Sequence, residues 1–93
     1  MSSLFTPFTL KGITLRNRIA VSPMCQYSAE DGIINDWHHV HLAGLAHGGA
    51  GLVVAEATAV SPEGRITPGC AGIWSDEQIE PWKKAVHLMK AAG

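Results

Sequence analysis

The sequence predicts an α/β chain: an N-terminal hairpin followed by the first two βα units of a (β/α)8 TIM barrel. Three observations carry that prediction. Hairpin, strand, helix, strand and helix come in succession, and such alternation implies a parallel sheet with right-handed crossovers. Ile19–Val21 and Gly51–Ala57 are continuous apolar runs without alternation, as expected of parallel strands covered on both faces. The chain has 93 residues, whereas a complete barrel needs roughly 250. Residues 1–93 are therefore expected to be one portion of a single barrel domain, a fragment whose remaining units are supplied elsewhere.

The elements justify themselves in order. Phe8–Leu10 and Ile13–Leu15 are short strands with alternating patterns, joined at Lys11-Gly12 by a connection that suits a tight hairpin turn. Alternation predicts that one face of this hairpin packs and the other meets solvent, so it reads as a lid or as a plain edge hairpin. Arg16-Asn17-Arg18 leads into the first parallel strand, which Ser22-Pro23 ends because proline cannot donate to a ladder. Glu30-Asp31-Gly32 is a turn signal. Asp36 is the expected N-cap of the first helix, with Val40, Leu42, Leu45 and Ala46 as its apolar face. Gly48-Gly49 ends that helix at a left-handed cap. After the second strand, Ser61–Gly72 is a long Gly- and Pro-containing loop, and such loops in compact units are usually functional. Ser75-Asp76-Glu77-Gln78 matches a capping box, and Pro81 is expected to open the last helix as its first residue.

Composition excludes several function classes. The chain is 46% hydrophobic with a formal net charge of −1, which is globular and lacks the basic block of a nucleic-acid partner. No apolar run reaches the length needed to cross a bilayer. Met-Ser-Ser-Leu-Phe carries no signal-peptide pattern, which makes a cytoplasmic location the expectation. Cys25 and Cys70 are expected as free thiols, given no sign of secretion and no CxxC spacing.

Chemistry concentrates at the ends of the two parallel strands. Ser22, Pro23, Met24, Cys25, Gln26 and Tyr27 place a thioether, a thiol, an amide and a phenol in succession. Glu56-Ala57-Thr58 closes the second strand. In a parallel sheet both groups leave on the same side, so they are expected to be neighbours. Small Ala57 would let a flat heteroaromatic ligand approach the backbone, although ordinary packing explains Pro23, Met24 and Ala57 equally well. His38 and His41, three apart on a helix, could share a metal, but no HExxH pattern or evident third ligand accompanies them. No metal site is assigned. Cys25 has no histidine beside it in sequence to act as a base, and Cys70 reads as a loop thiol without a special role. Gly48-Gly49-Ala50-Gly51 precedes a strand and opens no helix, which rules out a dinucleotide fingerprint.

Read together, Leu15-x-Asn17-Arg18-Ile19, Ser22-Pro23-Met24-Cys25-x-Tyr27, His38-x-x-His41, Glu56-Ala57-Thr58-Ala59-Val60, Gly64-Arg65-Ile66-Thr67 and Gly72-Ile73-Trp74-Ser75-Asp76 closely resemble the start of the Old Yellow Enzyme flavoproteins. The likeness is to the bacterial xenobiotic-reductase, or thermophilic-like, subgroup, and it covers nearly the whole chain. The resemblance implies an FMN-dependent barrel that reduces activated C=C bonds of enone-type, α,β-unsaturated carbonyl substrates with NADPH or NADH. By the same resemblance Ser22, Pro23, Met24, Cys25 and Ala57 would contact FMN, with Cys25 tuning its potential. Tyr27 would face the substrate, and the hairpin would close the barrel bottom. A homo-oligomer is expected of the full-length protein. The family's substrate-binding His pair, proton-donating Tyr and phosphate-binding loops have no counterpart in these residues, and His38 and His41 are not that pair. No catalytic residue is assigned within this portion, and the segment alone is expected to be inactive. A catalytically silent scaffold is the alternative.

Overall fold

The computed structural model describes residues 3–93. A hairpin comes first, with strand β1 (Phe8–Leu10) antiparallel to β2 (Ile13–Leu15). Its register sets Phe8 opposite Leu15, Leu10 opposite Ile13, and Thr9 opposite Thr14. One face is thus apolar and the other carries the paired Thr9 and Thr14 hydroxyls, 2.9 Å apart. Among the described residues the apolar face is left largely open, with Leu10 and Ile13 62% and 66% exposed and only Leu15 half-buried. That corrects the expectation of a packed face. The turn also differs in detail: Lys11 takes the positive φ of 54°, where Gly12 would have done so without steric cost. Arg18 ties the hairpin to the start of the second sheet, with its guanidinium 5.1 Å from the centre of the Phe8 ring.

The second sheet joins β3 (Ala20–Val21) and β4 (Leu52–Val53) in parallel, with Ala20 opposite Leu52 and Val21 opposite Val53. Parallel pairing requires a crossover, which helix α1 (Asp36–His47) supplies. Regular pairing is much shorter than Gly51–Ala57, and the strands are not covered on both faces: Leu52 is 42% and Val54 44% exposed. Among the described residues no barrel closes; they form two sheets of two strands each.

Helix α1 begins one residue earlier than its sequence suggested. Asn35, not Asp36, is the N-cap; its Oδ1 accepts from the Trp37 N–H at 3.0 Å, and His38 Nδ1 accepts from the Asn35 N–H at 3.1 Å. This is a capping box with histidine in the position usually held by Glu or Gln. Asp36 becomes the first helical residue, where its charge still suits the helix dipole. The buried stripe is His38, His39, Leu42 and Ala46. Val40, expected on the apolar face, is 74% exposed. At the far end Gly48 keeps helical geometry and Gly49 takes the positive φ of 114°.

Helix α2 (Ile79–Ala91) comes after a 3-10 turn at Asp76–Gln78. Pro81 is the third residue of α2 and not its first, still within the turn whose N–H groups have no intrahelical partner. Gln78 Oε1 accepts from the Ser75 N–H at 3.0 Å, the Gln half of the expected capping box. The two helices pack on each other, and His39 Nε2 lies 2.9 Å from the Pro81 carbonyl. Ala29, Ile34, Leu42, Ala71 and Ala85 form the core, with Val53, Trp82 and Met89 against it. Arg16 reaches across to the ends of both helices, donating to the Ala92 carbonyl at 3.0 Å, the Ala50 carbonyl at 3.0 Å and the Ala46 carbonyl. No described helix is long and apolar enough to cross a membrane.

Candidate functional site

Parallel register sends the continuations of β3 and β4 out of the sheet on one side, and the Val54 N–H still donates to the Val21 carbonyl at 3.1 Å. Ser22–Tyr27 and Glu56–Thr58 therefore lie beside each other. The Gln26 backbone amide acts on the buried Glu56 carboxyl and favours its charged form.

Each predicted residue has a definite place on this corner. Ser22, Pro23 and Met24 are exposed, Met24 by 48%. Cys25 is half-buried and a free thiol. Tyr27 is 59% exposed and holds a positive φ of 53°, uncommon for a bulky residue and a local store of strain. Gly69 packs under it so closely that a Cβ there would lie 2.5 Å from the Tyr27 carbonyl oxygen. Ala57 is exposed. It lines a cleft with Thr58, Ala59, Gly64, Arg65, Ile66 and Cys70, to which none of Ser22–Tyr27 contributes.

A flat, polar-edged cofactor needs free backbone groups at the corner. Among the described residues Ser22, Pro23, Cys25 and Ala57 take part in no hydrogen bond. Free amides and carbonyls at a strand end, flanked by small or apolar side chains, are the donor set that the edge of an isoalloxazine ring would use. The residues present fit FMN.

Three further residues named from the sequence, Glu56, His38 and Gln26, belong to the corner, but their partners there were not foreseen. Glu56 interrupts the apolar run of the second strand, as its sequence showed. It is buried, which pushes its carboxyl above the usual value, while the Gln26 and Ala71 amides and the charge of His41 pull the other way. His38 is 1% exposed. Burial, then the neighbouring His39 and His41, hold its imidazole below the ordinary value. Its Nε2 lies 3.7 Å from Glu56 Oε2. Gln26 anchors the loop: its Oε1 accepts from Trp37 Nε1 at 2.9 Å and its Nε2 donates to the Met24 carbonyl at 2.9 Å. Nothing local to Gln26 or His38 announces those partners, which come from other elements.

Cys70 lies in the loop that follows the second strand, as a free thiol. It is buried, and its sulfur accepts from the Thr67 N–H at 3.2 Å with the Thr67 hydroxyl at 3.4 Å. Those bonds, the hydroxyl foremost, hold the thiol below its ordinary value against the effect of burial. Among the described residues no three His, Cys, Asp or Glu side chains converge to hold a metal ion.

The profile of the NADH:flavin oxidoreductase / NADH oxidase family matches residues 3–93. An NADPH dehydrogenase of Bacillus pumilus is 51% identical over 94 residues, covering 99% of this chain and 28% of that protein. The NADPH dehydrogenase of Bacillus subtilis is 49% identical over 92 residues, covering 97% of this chain and 27% of that one. Among solved structures, the old yellow enzyme homologue from Zymomonas mobilis superposes with a TM-score of 0.88 at 34% identity, covering 99% of this chain and 26% of its own. Morphinone reductase in complex with tetrahydroNAD does so with a TM-score of 0.88 at 31% identity, covering 100% and 25%. The chain spans about a quarter of the length of these relatives. It belongs to the NADH:flavin oxidoreductase / NADH oxidase family, the Old Yellow Enzymes, whose chemistry uses FMN and NAD(P)H.

Proposed function

We propose that residues 1–93 form the hairpin and first two βα units of a single (β/α)8 barrel domain. That barrel is an ene-reductase that reduces activated C=C bonds of α,β-unsaturated carbonyl compounds at the expense of NADPH or NADH. The observation that supports this most is the strand-end corner, where β3 and β4 deliver Ser22–Tyr27 and Ala57 to one side and the backbone groups of Ser22, Pro23, Cys25 and Ala57 are unpaired. Identity near one half to bacterial NADPH dehydrogenases favours the bacterial subgroup and an NADPH preference.

FMN, when bound, supplies the relay of hydride from nicotinamide to the β-carbon of the unsaturated carbonyl. The chain's own part is to bind and orient. Ser22, Cys25 and Ala57 offer backbone groups to the polar edge of the ring, and Pro23 and Met24 exclude water from its apolar side. The Cys25 thiol tunes the electronics of the ring from beside it. Tyr27 projects towards the substrate side. The carbonyl-binding donors and the proton donor belong to later units of the barrel, so the segment alone does not turn over. The complete protein is a cytoplasmic homo-oligomer.

The test uses the complete barrel protein that carries this segment. It should purify yellow, with flavin absorption, and consume 2-cyclohexenone in the presence of NADPH. A colourless protein without that activity would leave only a silent scaffold. In the same protein Cys25→Ser should shift the flavin midpoint potential by on the order of 30 mV, the two-electron equivalent of about 1.4 kcal/mol. An unchanged potential would remove Cys25 from the tuning role.

A further inference from the structure

Cys25 stands between two carbonyls that are both taken. The Met24 carbonyl accepts from Gln26 Nε2 at 2.9 Å, and the Gln26 carbonyl accepts from the Ser28 hydroxyl at 2.9 Å. A peptide unit is planar and trans, so its N–H points opposite to its carbonyl. The bond to the Met24 carbonyl therefore fixes the direction of the Cys25 N–H, which pairs with nothing among the described residues. In the same way the bond to the Gln26 carbonyl fixes the direction of the Tyr27 N–H.

The side chain that pins Met24 is itself held from another element. Gln26 Oε1 accepts at 2.9 Å from the indole N–H of Trp37, in the first turn of α1. An indole nitrogen only donates and a carbonyl only accepts, so these two partners leave the Gln26 amide a single orientation. Without Trp37 the glutamine would recover much of the rotamer freedom that its bond to Met24 has to overcome. A second tie runs alongside, because Asn35 Nδ2 donates to the Ser28 carbonyl at 2.7 Å while its Oδ1 caps α1. The loop is thus moored to the helix start at two points. Tyr27 within it holds a positive φ, a conformation that persists only where the surroundings impose it.

We propose that Gln26 and Trp37 are positioning residues of the strand-end corner: the indole orients the glutamine amide, which pins the Met24 carbonyl and so sets the direction in which Cys25 offers its N–H. The bearing of this hold on flavin rests on the flavin-site reading above, but the hold itself does not.

The experiment places Trp37→Phe, Gln26→Met, Gln26→Glu and the double variant Trp37→Phe/Gln26→Met in the complete barrel protein, with Val40→Ala as a control on the same helix. Amide hydrogen exchange of the peptide spanning residues 22–28 should rise about threefold in Trp37→Phe, which loses one bond, and about tenfold in Gln26→Met, which loses both. The double variant should match Gln26→Met, because the indole then has nothing left to hold. Gln26→Glu keeps an oxygen for the indole and loses the donor to Met24, so it should exchange clearly faster than the native protein. The absorption maximum of bound flavin should move in the same direction in Trp37→Phe and Gln26→Met and stay native in Val40→Ala, a signature that a general loss of stability would not give. Native exchange in Gln26→Met or Gln26→Glu, multiplied rises in the double variant, a rise spread evenly over the chain, or an unmoved flavin maximum in both single variants would each overturn the proposal. If Gln26→Met does not fold, Trp37→Phe decides, since its ring is 59% exposed. A rise confined to the same peptide then supports the hold, and no rise overturns it. Failure of the flavin-site reading shows separately, as a native protein without flavin absorption, and hydrogen exchange then decides the hold alone.

Discussion

At the scale of single residues, His38 and Glu56 titrate in opposite senses, and the sign decides how pH acts on the fold. Burial holds the His38 imidazole below its ordinary value of 6.5, so the unfolded chain takes up its proton first as pH falls. The stability that neutral His38 contributes is complete above 6.5 and is lost as pH drops through the folded-state value. Glu56 behaves inversely. Its carboxyl is raised from 4.5 by burial, so its contribution is complete below 4.5 and is lost as pH rises through the folded-state value. His38→Gln keeps an acceptor for the capping box and removes the titration. Denaturant midpoints of this variant should therefore fall less steeply than native ones on going below pH 6.5. Equal slopes would place the acid sensitivity elsewhere.

At the scale of elements, the start of α1 shows where local pattern is enough and where it is not. Asn35 and Asp36 are both good caps, and they stand side by side, so composition alone cannot choose between them. The choice is made by tertiary partners. Asn35 Nδ2 donates to the Ser28 carbonyl at 2.7 Å, and His38 accepts from the Asn35 N–H. Asn35→Ala should cost about 1–2 kcal/mol in urea unfolding, and Asp36→Ala about 0.3–1 kcal/mol through the dipole alone. The reverse order would restore Asp36 as the cap. The same logic explains Val40, which periodicity put on the packed face. The stripe actually buried is polar at its start, where His38 and His39 bond to Asn35 and Pro81. A search for apolar spacing passes over such a stripe. The hairpin, the parallel pair and both helices were legible because their signals are local. So was the corner, because strand ends are predictable once strands are. The partners of Gln26 and the burial of Glu56 were not, since each depends on residues from other elements, well outside any local window of sequence.

At the scale of the molecule, the described surface carries more exposed apolar area than a solitary domain would keep. Phe5, Leu10, Ile13, Val60, Ile66 and Ile73 are each 56% to 80% exposed. The free edges of β3 and β4 add unpaired backbone to that surface. In a barrel these are the faces that later units would cover. The 93-residue chain by itself is expected to self-associate, with light scattering rising as concentration rises. Co-production with the remaining units should abolish that rise, and a segment that stays monomeric at about 100 μM would argue against unfinished faces.

Arg16 adds a timing constraint to the way such a chain is made. Its guanidinium draws together residues that leave the ribosome far apart in time, Ala46 and Ala50 first and Ala92 last. The separation of 76 residues between Arg16 and Ala92 takes roughly 4–15 s to translate at about 5–20 residues per second. During that interval the β3–β4 pair and α1 can form, but the cation that will join the two helix ends lacks its last carbonyl. Completion of this cluster marks the moment at which the second unit docks, so a translational pause before residue 92 would prolong the half-assembled state, whereas a pause after it would not.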